Sequence, residues 1–205
     1  AAQANDKLAL VHVQTLAAAQ QALDAGADGL AHIFTDAVPA ASFVQQAVDQ
    51  GFFVIPTLAV FQNIGDEPAD LTVIDDPLLA PYLTAADLQS LASPYSGFPA
   101  LSLANGQEAV KLLFDAGIPI LAGTDAPNPG TAHGASLHRE LVLLTAAGLS
   151  PVEALAAATA ITADTFGLAD RGRIAPGLRA DLLLVNGDPT TDITAMRDIA
   201  GIWKL

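Results

Sequence analysis

Apolar residues fall along this chain in short blocks punctuated by glycine, and the blocks alternate in character. Residues 15–25 are rich in Ala and Gln and predict a helix that Gly26 stops. The same grammar recurs in 40–50 before Gly51, 105–116 before Gly117, and 137–147 before Gly148. A glycine just past a helix suits the left-handed residue that closes the last turn. Around these lie residues 8–13, 29–34, 52–58 and 118–124, short apolar runs without alternation. Strands covered on both faces have this pattern, as in a parallel array of βα units. Two helix starts are written into the sequence. Asn105 with Glu108 has capping-box spacing, and Ser150-Pro151 with Glu153 offers an N-cap, a proline at the first helical position and an acid in the first turn.

Alternating strands and helices predict an α/β fold, either an open doubly wound sheet or a (β/α)8 barrel. About four units are present, which is half a barrel. Residues from about 62 to 104 break the rhythm with Pro68, Pro77, Pro81, Pro94, Pro99 and clustered Asp. An insertion of that length after a strand serves either as a lid or substrate loop or as a plain surface excursion. Beyond Leu168 the character changes again. Residues 173–177 and the Gly187-Asp188-Pro189 stretch predict turns, and 181–185 and 199–205 predict strands of a small β element outside the barrel.

Composition narrows the functional classes. Of 205 residues, 52% are hydrophobic and 15% charged, so the chain can bury a core. No apolar run approaches the roughly 18–20 residues that cross a bilayer. The 22 acids against 8 bases give a net charge of -14, which disfavours nucleic acid and anionic membrane surfaces as partners. Cysteine is absent, so any metal must be held by His and carboxylate. The compartment stays open. The chain begins at Ala1 without a Met or a leader-like segment, and the native N-terminus is expected to have been removed or to lie upstream.

The candidate chemistry sits at the ends of the strand-like runs. His12 closes the first, His32 lies near the end of the second, and Asp125 follows the fourth in Gly123-Thr124-Asp125-Ala126. Strand C-termini of a βα barrel open onto one face, so the three polar groups are expected to converge. Two imidazoles and a carboxylate suit Zn²⁺ or a similar divalent ion, one or two in number. Each alone reads equally as a structural His or a capping Asp; the shared placement carries the argument. His133, in Thr131-Ala132-His133-Gly134, and Thr57, at the end of the third run, are candidates for substrate contact. His138 reads as structural.

The pattern Val11-His12-Val13-Gln14-Thr15, followed by Ala22-Leu23-Asp24-Ala25-Gly26-Ala27-Asp28-Gly29-Leu30-Ala31-His32, resembles strands five and six of the amidohydrolase superfamily. The imidazolonepropionase-like and Xaa-Pro-dipeptidase-like branch is nearest. Leu121-Ala122-Gly123-Thr124-Asp125-Ala126-Pro127 resembles strand eight of that family, and Leu137-His138-Arg139-Glu140-Leu141 with Ala146-Ala147-Gly148-Leu149-Ser150-Pro151 the helix and turn that follow it. Gly172-Arg173-Ile174-Ala175-Pro176-Gly177, continuing to Asp181, and Asn186-Gly187-Asp188-Pro189 resemble the signature that returns to a β-sandwich domain.

The resemblance implies the C-terminal half of a (β/α)8 TIM-like barrel over residues 1–168 and the C-terminal part of a small β-sandwich over 169–205. It implies His12 and His32 as metal ligands and Asp125 as ligand and proton shuttle. It also implies a hydrolase that cuts a C–N bond in an amide, cyclic amide or dipeptide with metal-activated water. Esterase, lactonase or deaminase chemistry on the same scaffold is the alternative. The family's His-x-His pair and its bridging group, usually a carbamylated Lys, have no counterpart here: Lys7, Lys111 and Lys204 stand elsewhere. The N-terminal half of the same protein is therefore an expected partner beside a small-molecule substrate, with homo-oligomers possible. Without that half, the chain would be a catalytically incomplete fragment.

Overall fold

The structure, a computed structural model, describes residues 2–64, 72–94 and 101–204. Its first layer is a parallel sheet of β1 (Leu10–His12), β2 (Gly29–Ala31) and β3 (Phe53–Ile55), in that order. The register is one to one, with Val11 opposite Leu30 and Leu30 opposite Val54. Helices α1 (Leu16–Asp24) and α2 (Ala41–Asp49) make the crossovers. Thr15 caps α1 by accepting from the Ala18 amide, and α1 turns Ala19, Ala22 and Leu23 into the core. There they join Leu30, Ile33, Phe34 and Val54, all fully buried. A small-residue helix face against a Leu/Ile/Phe sheet face lets the two layers pack closely and bury apolar surface.

Gly26, Gly51, Gly117 and Gly148 all adopt positive φ just past their helices, as the spacing predicts. The strands are shorter than the apolar runs. The second run departs from extended geometry at His32 (φ 78) and the third at Thr57 (φ 54). From Leu58 the chain is already helix α3 (Leu58–Ile64).

The fourth run is not a regular strand. It meets β3 through a single parallel bridge, Val54 to Ile120, held by Val54 N–H donating to Pro119 O (3.0 Å) and Leu121 N–H to Val54 O (2.9 Å). Pro119 has no N–H to extend the ladder. On the far side, Ala122 N–H donates to Ala157 O (3.1 Å), so a helix carbonyl stands where a strand partner would.

The long insertion holds α4 (Thr72–Asp75) and α5 (Ala85–Ala92), the latter opened by a Thr84–Asp87 capping box. Pro68 and Pro99 lie outside the described residues. Helix α5 docks on the loop after Asp125: Gly130 N–H donates to Ser90 O (2.8 Å), and Ser90 Oγ to Thr131 O (2.7 Å).

Helix α6 (Leu103–Asp115) begins earlier than predicted, because Ser102 rather than Asn105 is the N-cap. Asn105 instead donates its side-chain amide to Thr35 O (3.2 Å). Then come α7 (Ala135–Ala146), α8 (Pro151–Ala158) with the expected Ser150–Glu153 capping box, and α9 (Ala160–Thr165).

The C-terminal segment forms an antiparallel ribbon of β4 (Leu182–Val185) and β5 (Ile199–Trp203). It is tied to the insertion by Arg197–Asp76 (3.2 Å) and by Tyr82 Oη donating to Ile199 O (3.3 Å). These are the only two strands described there, against the small sandwich the sequence predicts. No described helix is long and apolar enough to cross a membrane.

Candidate active site

Parallel pairing puts the C-terminal ends of β1, β2 and β3 on one side, and the candidate residues sit there. His12 is the last residue of β1, and His32 directly follows β2. The two rings meet edge to face with centroids 4.6 Å apart. Thr57 follows β3 by two residues, and its Oγ1 lies 2.8 Å from His32 Nδ1. Asp125 comes off the end of the fourth run, with Oδ2 3.7 Å from His32 Nε2. His32 is thus the hub: one nitrogen engages Thr57, the other faces the carboxylate, and the ring edge abuts His12. Phe61 of α3 closes another side, its ring centroid 6.0 Å away.

His32, Thr57 and Asp125 have φ of 78, 54 and 54. Three non-glycine residues in the left-handed region at adjacent strand ends are unusual, and such strain concentrates at functional sites.

His32 is 8% exposed, whereas His12 and Asp125 reach solvent. Burial holds the His32 pKa below its ordinary value; the Asp125 carboxylate pulls it up, and His12 pushes it further down. The ring is therefore neutral near pH 7, the form that can ligate a metal or accept a proton. The Thr57 contact at Nδ1 leaves Nε2 toward Asp125. Asn128 steadies the carboxylate by donating Nδ2 to Asp125 Oδ2 and to Asp125 O, both at 2.7 Å.

Two imidazoles, one kept neutral by burial, and a partly exposed carboxylate form a donor set suited to a borderline divalent ion. Among the described residues, no three His, Asp or Glu side chains stand close enough together to hold an ion by themselves. The set fits as part of a larger ligand sphere.

His133 does not join this group. It is exposed, at the entrance to α7, and lines a different cavity of about 850 Å³ with His138, Leu141, Ile174 and Trp203. That cavity lies between α7, α8 and the β4–β5 ribbon, and none of its lining residues belongs to the His32 cluster. Thr57 is buried, 3% exposed, and directs its hydroxyl to His32. His138 is half-buried, and burial lowers its pKa, with Arg197 adding to the effect and Asp76 opposing it.

Sequence reasoning missed Glu140. It is fully buried in α7, accepting from the Leu58 amide (Oε1, 3.1 Å) and the Ala59 amide (Oε2, 2.7 Å) at the start of α3. The signal was available: Ser136, Glu140 and Leu144 follow one another at four-residue spacing, so the acid lies on the core face of an apolar helix. Burial pushes its carboxyl up to about 8, against the amides and Arg139, which pull it down.

The amidohydrolase family model matches residues 1–204. An imidazolonepropionase of Deinococcus deserti is 40% identical over 96 residues, 45% of this chain and 24% of that protein. A solved Xaa-Pro dipeptidase with methionine bound in its active site aligns with TM-score 0.68 at 20% identity, over 99% of this chain and 45% of that one. Ochratoxinase of A. niger aligns with TM-score 0.66 at 22% identity, over 99% and 41%. At these identities the solved structures show a shared fold. The chain spans less than half the length of each of the three.

Proposed function

Because the chain belongs to the amidohydrolase family, in its imidazolonepropionase-like and Xaa-Pro-dipeptidase-like branch, we propose that it supplies the C-terminal half of the barrel and part of the active site of a divalent-metal-dependent hydrolase acting on C–N bonds. Residues 1–168 belong to that barrel and 169–205 to a small β domain beside it. His12, His32 and Asp125 would hold the metal together with groups from the N-terminal half of the protein. A divalent ion there supplies Lewis acidity, acidifying water and polarising the scissile carbonyl.

The chain's own residues do the rest. Asp125 is the base: its carboxylate is partly exposed, so it can take a proton from water on the open side and deliver it to the departing amine. Asn128 keeps Oδ2 oriented while it does so. His32 stays neutral through burial and is aimed by Thr57, whose hydroxyl serves this purpose rather than substrate contact. The substrate is a small amide, cyclic amide or dipeptide. His133 is retained as a contact for a substrate group that extends beyond the strand ends, and the insertion docked through Ser90 as a cover over the Asp125 loop.

The observation that supports this reading most is His32 held between Thr57 and Asp125, beside His12, at the ends of neighbouring parallel strands. The test is elemental analysis of the intact protein, together with a matched panel of amides, cyclic amides, dipeptides and esters. The reading expects bound divalent metal and turnover confined to C–N substrates. Intact protein free of metal, or hydrolysis of esters alone, would overturn it.

A further inference from the structure

The buried pair Arg139–Glu140 of α7 grips both ends of α3. Glu140 takes the Leu58 and Ala59 amides, the first turn of that helix. Arg139 donates Nε to Gln62 Oε1 (2.7 Å) and Nη2 to Asn63 Oδ1 (3.2 Å) near its other end. Asn63 in turn donates Nδ2 to Gly130 O (2.7 Å), in the loop that carries Asp125. Gly130 is itself in the left-handed region (φ 79), and a Cβ there would lie 2.3 Å from Asn63 Nδ2, so the contact requires glycine.

Thr57 is the residue just before the gripped turn, and it is β-branched with φ 54. A β-branched residue does not hold that conformation unaided. Its surroundings must impose it, and the nearest fixed points are the two amides bound by Glu140. Both carboxyl oxygens of Glu140 face free amides at the helix start, which have no partner within the helix itself.

We propose that Glu140 is a positioning residue for His32: by holding the start of α3 it sets the Thr57 hydroxyl against Nδ1 and leaves Nε2 toward Asp125. The proposal deepens the functional reading above and rests on it for the role of His32, but not for the linkage itself. Outer groups that fix a ligating imidazole change metal affinity by about 10–100-fold when removed. Glu140 contacts the start of α3 and not the His32 ring itself, so it acts through Thr57.

The test uses the intact protein with ¹⁵N-labelled histidine. The His32 signals are assigned by their disappearance in His32→Gln. Parent protein should show His32 in one tautomer, with two well-separated ring-nitrogen shifts. Glu140→Gln, which leaves one acceptor for two amides, should average those shifts, as should Thr57→Val. Thr57→Ser, which keeps the hydroxyl, should restore most of the separation. Zinc affinity, titrated with zinc alone, should fall about 10-fold or more in Glu140→Gln.

A folded Glu140→Gln protein with unchanged His32 shifts would overturn the proposal, whatever its zinc affinity. Averaged shifts with unchanged zinc affinity would uphold the positioning and defeat instead the reading of His32 as a ligand. If Glu140→Gln does not fold, hydrogen exchange at Leu58 and Ala59 in the parent decides. Slow exchange upholds the clamp, and exchange at the rate of an open helix end defeats it.

Discussion

His32 and Asp125 face each other at 3.7 Å, too long for a strong hydrogen bond and close enough for the imidazole to feel the carboxylate's charge. That spacing separates their roles. If Asp125 is the base, as proposed, Asp125→Asn keeps the shape and removes that base, so turnover of the intact protein should fall by at least about 10²-fold. Steady-state kinetics with KM little changed would be the signature. His12→Ala and His32→Ala should instead lower the bound-metal content first, read by elemental analysis. Unchanged stoichiometry in both would make them structural.

Glu140 adds a pH dependence to stability. Its folded pKa of about 8 lies above the ordinary 4.5, so the folded chain binds a proton that the unfolded chain has released. The contribution is fully present below about 4.5 and is lost as pH rises through about 8. Denaturant midpoints measured across that window should fall with rising pH more steeply in the parent than in Glu140→Gln. The difference should reach at most about 1.4 kcal/mol per pH unit. Parallel profiles would mean that Glu140 is ionised throughout. The placing of His12 and His32 at strand ends, and of Asp125 at the end of the fourth apolar run, was legible because the runs themselves stand out between glycine-stopped helices. Glu140 was hidden because its partners are backbone amides some 80 positions away, which no residue type advertises.

Helix boundaries were legible wherever the signal was local. The glycines after α1, α2, α6 and α7, and the Ser150–Glu153 box of α8, act within one turn of their own helix. The Asn105–Glu108 pair has the same spacing, yet Ser102 accepts from the Asn105 amide and starts α6 two residues sooner. The difference is tertiary: Asn105 is drawn to Thr35 O across the core. Ser102→Ala and Ser150→Ala should each cost about 1 kcal/mol, the usual worth of an N-cap hydroxyl. Glu108→Ala should cost far less. Thermal melts of the three variants check this, and a Glu108 effect equal to that of Ser102 would restore the capping box at 105. The fourth strand run was misread for a similar reason. Its composition is strand-like, but Pro119 and the Ala157 carbonyl beside it limit pairing to one bridge.

Across the whole molecule the notable feature is apolar surface on the C-terminal ribbon. Leu183, Leu184, Ile202 and Trp203 are exposed, and Ile174 is 91% so. The outer edge of β1 has no strand partner among the described residues. Unpaired edges and contiguous apolar patches drive association, and a net charge of -14 opposes it only at low ionic strength. Residues 1–205 prepared alone should therefore self-associate in about 0.15 M salt; if the chain is the C-terminal half of a barrel, as proposed, they should also lack useful activity until the N-terminal half is added. Light scattering and a zinc-supplemented assay check both. A monomer with metal-dependent turnover would mean that the chain suffices by itself. The α/β class was readable from alternation alone, whereas the cavity under the ribbon was not, since it depends on how α7, α8 and the ribbon meet.

The left-handed backbone at His32, Thr57 and Asp125 bears on how this protein can evolve. Each such residue costs on the order of 1–3 kcal/mol that glycine, or in part asparagine, would largely avoid. A lineage selected only to resist heat would drift toward those residues at the three positions and gain robustness as it lost chemistry. If the cluster is catalytic, as proposed, stability screening of this scaffold will enrich inactive variants at these positions, and only a counter-selection for turnover can hold the cluster in place.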